Sequence, residues 1–567
     1  MNALDSKSIK LALTNLKDDA IFDNLYKSAE ARCEADWLIG MNLSRAYTLL
    51  MNRAGYDKVI NIGRVMTPTM CLVVNRENEI NIFKPTTHYK LEATFRHQNG
   101  LFKTKLNSND LANDKGYILD KQVLINIQND LVNINPEDIL ISKYEVVLKK
   151  ERQRLPYSLS KLQIEAGKKY GYSPQKVLDI CQELYEKKLT TYPRSDCDYL
   201  PQNQFDNAYV ILKNEFPTLV KECSLDIKSP AWNDKKITAH HAIIPTTLKV
   251  NKSILSKECF NIYTMIALAY IAQFYPVHTY NQTNVEIKVL NKNYIFTTTG
   301  KTILDIGWRK LYSFSDDNEK KENLIPLCNE GDKLIYLTSN IIENITKPPK
   351  RFTTSSLLEA MKNINKYVVN PKYKQLLKTT SGIGTEATRA GIIDKLIDKG
   401  FLELNKNNLH PTKISIYLNN ILPKGIKEPD LTAIWEDWLT QINEGTLDVN
   451  KFNHNQIALI KNAIDFTKTL KIKSFNESSY SCPYCNSSLR LITLKDKSKI
   501  WICLNKDNCK KGFFSNLNNK PVLISCPNCK TGYLKKRKGS KGYFWSCDNY
   551  PTCKTTFSDK NGKPAIK

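Results

Sequence analysis

No stretch of this 567-residue chain is apolar for long enough to cross a bilayer, which excludes a helical membrane protein. The first residues, Met-Asn-Ala-Leu-Asp-Ser-Lys, contain no apolar core of a secretory signal, so a cytoplasmic protein is expected. A P-loop is missing too. The only Gly-Lys-Thr, Gly300-Lys301-Thr302, lacks the first glycine of that motif, and no ATP is expected as a partner. Acidic residues are few for the size of the chain: 57 Asp and Glu against 83 Lys and Arg leave a net charge of +26. The deficit is largest at the end, where residues 482–567 hold 18 basic residues and four Asp. A lysine-rich soluble surface explains a mild excess but not this clustering, which favours a polyanionic partner. What remains is ordinary: 41% apolar residues, enough chain for several domains and ample core.

The stretch from Leu189 to Pro201 draws attention first. Thr190, Thr191 and Tyr192 favour extended backbone, and Pro193 pushes the residue before it out of the helical region. A short strand is therefore expected, with Arg194 leaving on the same face as Tyr192. A phenol beside a fixed guanidinium suits attack on a phosphodiester, because the cation holds phosphate oxygens as charge develops. The bland alternative is an amphipathic tyrosine, one of 28 in the chain.

Around it the pattern changes several times. Residues 8–50 read as helical, with Trp37, Leu38, Met41, Leu43, Ala46 and Leu49 near helical spacing. From about 86 the chain turns to strands: Tyr89 to Phe95 alternates cleanly, while Ile139 to Val146 alternates only in its second half. Helices return at 156. Ser160 with Gln163 resembles a capping box, Ser173-Pro174 an N-cap followed by proline at the first helical position. Val177, Ile180, Cys181 and Leu184 line one face of the helix that leads to Tyr192, so the pair resembles a helix-turn-helix or winged-helix unit. Strands resume over 284–345 and helices from Thr353. This order suggests a helical domain inserted into a β domain whose two segments pair into one. The boundaries expected are 1–85 and 346–470 (helical domain in two parts), 86–150 and 271–345 (β domain in two parts), 151–270 (helical insert), and a linker at 471–480.

The tail carries the strongest local signal. Cys482, Cys485, Cys503 and Cys509 follow C-x2-C-x17-C-x5-C, and Cys526, Cys529, Cys547 and Cys553 repeat it 44 residues later. Each set supplies four thiolates for a structural Zn²⁺ with no open position for water. Disulfides need an oxidising compartment that nothing upstream supports. The two ribbons, 481–520 and 521–567, are too small to fold readily without metal. Aromatic residues among their lysines, including Trp501, Trp545, Phe513 and Tyr543 beside Lys535-Lys536-Arg537-Lys538, fit stacking and phosphate pairing on single-stranded nucleic acid, although some must form the ribbons' own cores.

Taken together the motifs resemble the type IA DNA topoisomerases, and among them bacterial topoisomerase III, over nearly the whole length. The residues that carry the resemblance are Asp36 to Ala46, Gly63 to Thr69, Ser160 to Ala166, Leu184 to Glu186 and Thr191 to Asp196. Downstream they continue with Ala239 to Thr246, Pro348 to Thr353 and Gly382 to Ala390. The resemblance implies an α+β multidomain, toroidal core followed by two zinc ribbons. It implies that Tyr192 breaks one DNA strand through a 5′-phosphotyrosine, lets another strand pass and reseals, without ATP. Arg194 would stabilise the scissile phosphate, His240 would contact phosphate or relay a proton, and Arg45, Arg64 and Arg389 would hold the backbone of single-stranded or underwound DNA.

Two departures stand out. Met66 occupies a position where the family usually has Gln. The family also begins with a Toprim domain whose glutamate, lysine and Asp-x-Asp cluster hold Mg²⁺, and this sequence starts at about the point where that domain would end. The Mg²⁺ ligands are therefore expected to be absent from it, Asp196-Cys197-Asp198 belonging to the Tyr192 motif. The residues leave three readings open: a topoisomerase completed by a separate Toprim-containing chain, a cleavage-deficient single-strand-binding remnant, and a zinc-ribbon scaffold for other proteins.

Overall fold

A computed structural model describes residues 9–10, 13–108, 110–214, 217–237, 239–251, 254–312, 324–379, 382–470, 475, 480–494, 498–505, 509, 511–540 and 542–566. Most of the 471–480 linker lies outside them. The chain divides into two compact units, one built mainly from residues 69–416 and the other from 19–68 with 417–567. The 346–470 segment is thus split near Ile416. Helix Thr354–Lys362 packs with the helices at 159–186 and 389–398, whereas 430–469 packs on the helix Asp23–Arg53.

The first unit holds a six-stranded antiparallel sheet of β1 (Thr87–His97), β2 (Gly100–Leu106), β3 (Ile139–Glu151), β4 (His278–Val289), β5 (Tyr294–Asp305) and β6 (Ile335–Ile345), in the order β3-β4-β5-β2-β1-β6. Two distant stretches of sequence therefore build one sheet. Alternation places Leu91, Ala93 and Phe95 of β1 with Val285, Ile287 and Phe296 in the core, closed by Leu124, Ile127 and Leu131 of helix Lys121–Val132. The weak alternation of β3 has a local cause. Its register against β4 shifts between Ile141 and Lys143. The extra Ser142 turns its hydroxyl back to the Glu286 carbonyl at 3.1 Å, and the residues after it change faces. Gly300-Lys301-Thr302 lies inside β5, where Lys301 donates to His278 Nε2 at 2.9 Å.

Between β3 and β4 the chain forms a helical insert. Helices Leu159–Tyr170 and Pro174–Glu186 are joined through Gly171, whose φ of +70° ends the first in a left-handed cap. Ser173 caps the second by accepting from the Lys176 amide at 3.2 Å, with Pro174 at the first turn. The capping box expected at Ser160 and Gln163 is absent, because both are used elsewhere. Ser158 is the N-cap, the Ser160 amide is satisfied by the Glu386 carboxylate at 2.7 Å, and Gln163 donates to the Pro174 carbonyl. Val177, Ile180, Cys181 and Leu184 are buried against Ile262 and Ile266 of helix Lys257–Ile271. A hairpin, β7 (Leu402–Asn405) with β8 (Asn408–Pro411), also belongs to this unit.

In the second unit the helix Asp23–Arg53 buries a different face from the one its large apolar residues suggested. Ala31, Ala35, Ile39, Leu43 and Tyr47, four apart, face helices Asp430–Asn443 and Val449–Thr469. Trp37, Met41 and Leu49 are exposed. Small residues at 31 and 35 allow close helix approach, which outweighs the greater apolar area of the opposite stripe. The tail forms two four-stranded sheets: β9 (Leu489–Thr493), β10 (Lys499–Cys503), β11 (Phe513–Leu517) and β12 (Lys520–Pro521), then β13 (Leu534–Gly539), β14 (Gly542–Cys547), β15 (Thr556–Lys560) and β16 (Lys563–Pro564).

Candidate active site and metal centres

Tyr192 sits not on a strand but at the end of a single bridge. Thr190 pairs with Pro245, and the chain turns at Pro193-Arg194. Proline has no amide to continue a ladder, so the extended run stops there. The turn removes the basis for placing Arg194 on the same face as Tyr192. Arg194 is exposed and Tyr192 half-buried.

What fixes the site is a clamp on the segment 239–246. The Thr191 amide donates to the Ile244 carbonyl at 2.9 Å. The Thr191 hydroxyl donates to the Ala242 carbonyl at 3.2 Å and accepts from the Ile244 amide at 3.0 Å. From other sides, the Ala242 amide donates to Tyr199 and the Ile243 amide to Tyr157, and the Thr246 amide donates to Leu189. The register so imposed lays the His240 ring over Tyr192, with centroids 4.5 Å apart and planes at 37°. Tyr185 meets Tyr192 edge-on at 5.7 Å. His240 Nδ1 is buried and has no hydrogen-bond partner among the described residues, a site at which a polar group is costly to leave unpaired. His241 differs. Its Nδ1–H donates to the Ala242 carbonyl at 2.8 Å and its Nε2 lies 3.1 Å from Gln204 Nε2, which gives it a structural role. Asp198 accepts from the Ser158 amide at 2.8 Å, at the start of helix Leu159–Tyr170, where a carboxylate complements the helix dipole. Neither Tyr185 nor Asp198 stood out as a site residue. Tyr185 is revealed by its contact with Tyr192 in the fold, and Asp198 by its bond to the start of the helix.

Several cations expected to hold DNA are spent internally. Arg389 is fully buried: it donates to Glu386 Oε1 at 2.7 Å, to Ser160 Oγ at 2.9 Å and to the Ile383 carbonyl at 3.1 Å. Arg64 is likewise buried, bidentate on Asp36 at 2.9 and 3.1 Å, 3.5 Å from Glu436 and over the Trp435 ring. A desolvated guanidinium requires such partners. Arg45, by contrast, is exposed on the helix Asp23–Arg53, with no ion pair among the described residues.

The eight cysteines form two tetrads whose sulfurs lie within 4.8 Å of one another in each set. Cys482 and Cys509 are 3.7 Å apart, Cys485 and Cys503 3.4 Å, Cys526 and Cys553 3.8 Å, Cys529 and Cys547 3.5 Å. A tetrahedral zinc with Zn–S of about 2.3 Å separates its ligands by about 3.8 Å, so the cysteines fit that ion. The knuckles match as well: the Asn486 amide returns to Cys482 and the Lys530 amide to Cys526, both at 2.9 Å, with φ of +57° at each.

The ribbon aromatics divide differently from expectation. Trp501 and Trp545 are core residues whose indoles donate to Asn516 at 3.0 Å and Asp559 at 2.6 Å. Each tiny core needs one large apolar side chain, and the tryptophan supplies it. Lys535 lies over Phe514, 3.3 Å from Asp548, and burial lowers its pKa. Lys536 pairs with Asp559 at 2.9 Å. Among the groups left on the surface are Arg537, Lys538, Phe513, Tyr543 and Tyr550.

Comparison with known proteins agrees with this geometry. A DNA topoisomerase family model matches residues 20–454, and a model of the topoisomerase DNA-binding C4 zinc finger matches 524–562. The chain is 38% identical to DNA topoisomerase 3 of Vibrio cholerae over 78% of its own length and 70% of that protein's. It is 34% identical to DNA topoisomerase 3 of Bacillus cereus over 99% of its own length and 77% of that protein's. Its fold is similar to full-length topoisomerase I from Thermotoga maritima, with a TM-score of 0.61 at 22% identity over 93% of this chain and 81% of that one. No described helix is long and apolar enough to cross a membrane. With the family model covering most of its length and two four-cysteine zinc sites at its end, the chain belongs to the type IA DNA topoisomerases and is most like topoisomerase III.

Proposed function

We propose that Tyr192 is the nucleophile of a strand-breaking and rejoining reaction on single-stranded or underwound DNA. The phenolic oxygen attacks the phosphorus. A Tyr–O–P ester forms as the P–O3′ bond breaks, and the phenol's proton ends on the departing 3′-oxygen. Resealing is the reverse. One phosphodiester is exchanged for another, so no ATP is consumed.

The packing of His240 on Tyr192 carries this reading, since a clamped histidine ring against the phenol suits phosphate contact or proton relay. Arg194, exposed in the turn, steadies the charge on the scissile phosphate. Arg45 and Arg537 are the preferred backbone contacts, because both reach solvent. Zinc is structural in both ribbons.

The residues around Tyr192 do not fit Mg²⁺. Asp198 is engaged at a helix terminus, and among the described residues the clusters suited to a metal are the two cysteine tetrads. The acidic centre is supplied by a Toprim part, on the same or on a separate chain.

Relaxation of negatively supercoiled plasmid tests the reading, with the chain alone, with a Toprim part added, and with Tyr192→Phe. Relaxation that disappears in the variant supports the enzyme. Relaxation that survives it overturns the assignment of Tyr192. Salt-sensitive strand binding without relaxation in any mixture supports a binding protein instead.

A further inference from the structure

A cavity of about 440 Å³ opens beside Tyr192, with Tyr192 itself in the wall. Its size falls in the range of roughly 300–1,000 Å³ that small-ligand sites occupy. Much of the lining is apolar, from Ile211, Ile244, Pro245 and Leu248, and the ring of Tyr185 adds an aromatic surface. Gln204 and Asn207 supply amides at one side. Thr190 in the same wall is 1% exposed, and its hydroxyl has no hydrogen-bond partner among the described residues. An apolar slot with a few amide and hydroxyl groups suits a flat heteroaromatic ring with a donor–acceptor edge. It does not suit a bare phosphate, since Lys188 in the lining is balanced by Glu186.

We propose that this cavity receives the base of the nucleotide whose 5′-phosphate Tyr192 takes, the first nucleotide on the 3′ side of the break. A base stands one sugar away from its own 5′-phosphate, so a phosphate at Tyr192 leaves that base at the mouth of the cavity. The pocket then holds the downstream strand end while the break is open, independently of the phosphate contacts. This rests on Tyr192 being the nucleophile of the reaction proposed above.

The test uses the full zinc-loaded chain and short 5′-phosphorylated single strands, either intact or abasic at the first residue, with affinity read by fluorescence anisotropy. Losing one stacked base should weaken binding about tenfold. Ile211→Trp, which fills the cavity, should bind the two strands equally. Asn207→Leu, a milder change, should narrow the difference if the tryptophan variant does not fold. Equal binding of intact and abasic strands by the unaltered chain overturns the pocket while leaving the reading of Tyr192 intact. Salt-independent binding, or none, of both strands overturns the DNA reading itself, and the pocket with it.

Discussion

Each cysteine tetrad spans 27 positions of sequence, Cys482 to Cys509 and Cys526 to Cys553. The Tyr192 site is assembled from stretches near 157, 191, 199 and 240–246, held by hydrogen bonds from one backbone to another. In the ribbons one ion dictates where four side chains go. At Tyr192 no single group dictates anything, and the stacking of His240 is the sum of several ordinary bonds. The first arrangement is visible in spacing alone, because the metal imposes it. The second becomes visible only in the fold.

The contrast is sharpest under metal removal. Chelation should unfold both ribbons, since structural zinc contributes about 10–16 kcal/mol in finger peptides. Hydrogen exchange should show protection lost from Leu489–Thr493, Lys499–Cys503, Leu534–Gly539 and Gly542–Cys547 while the six-stranded sheet keeps its own. Ribbons that stay protected without metal would erase the distinction. Arg389→Ala comes next. It leaves the buried Glu386 carboxylate with the Ser160 amide at 2.7 Å and, as its nearest cation, Lys362 at 4.0 Å, and losing one partner of a buried pair costs about 3–5 kcal/mol. A lower Tm in the first unit with unchanged zinc content is expected, whereas an unchanged Tm with weaker DNA binding would restore Arg389 as a phosphate contact.

Thr191→Val should cost about 1–3 kcal/mol, because the Ile244 amide loses the hydroxyl it donates to, while the Ala242 carbonyl keeps its bond from His241. It should also shift the His240 ring resonances, and an unmoved ring would show that the clamp lies elsewhere. The smallest effect is expected from Asp559→Asn in the second ribbon. There the carboxylate accepts from Trp545 and Lys536, and a neutral amide should weaken the ribbon by about 1 kcal/mol, read from Trp545 fluorescence during denaturation. Loss of zinc in that variant would mean that the ion does not dominate the ribbon.

The same contrast explains what could be read from the sequence. The paired sheet was legible because alternation at 89–95 and 285–289 survives in a one-sided core. The buried face of the helix Asp23–Arg53 was not, because small residues packed where larger ones nearby stayed in water. Exposure of charge was the least legible property. Arg45, Arg64 and Arg389 look alike in sequence, yet Asp36, Glu436 and Glu386 bury two of them, and two of those carboxylates come from distant or separate elements. Trp501 and Trp545 went the same way, since an aromatic among lysines looks alike whether it faces a base or a ribbon core. The cavity beside Tyr192 could not be read from any one motif, being lined from three stretches at once.

The most direct measurement is to trap the broken strand. A single-stranded oligonucleotide is incubated with the chain, a Toprim part and Mg²⁺, then denatured rapidly, and the protein is digested for mass spectrometry. A nucleotide attached through its 5′-phosphate to the peptide containing Tyr192, and absent from Tyr192→Phe, is the result expected. A covalent adduct on any other residue, or a link through a 3′-phosphate, would contradict the assignment.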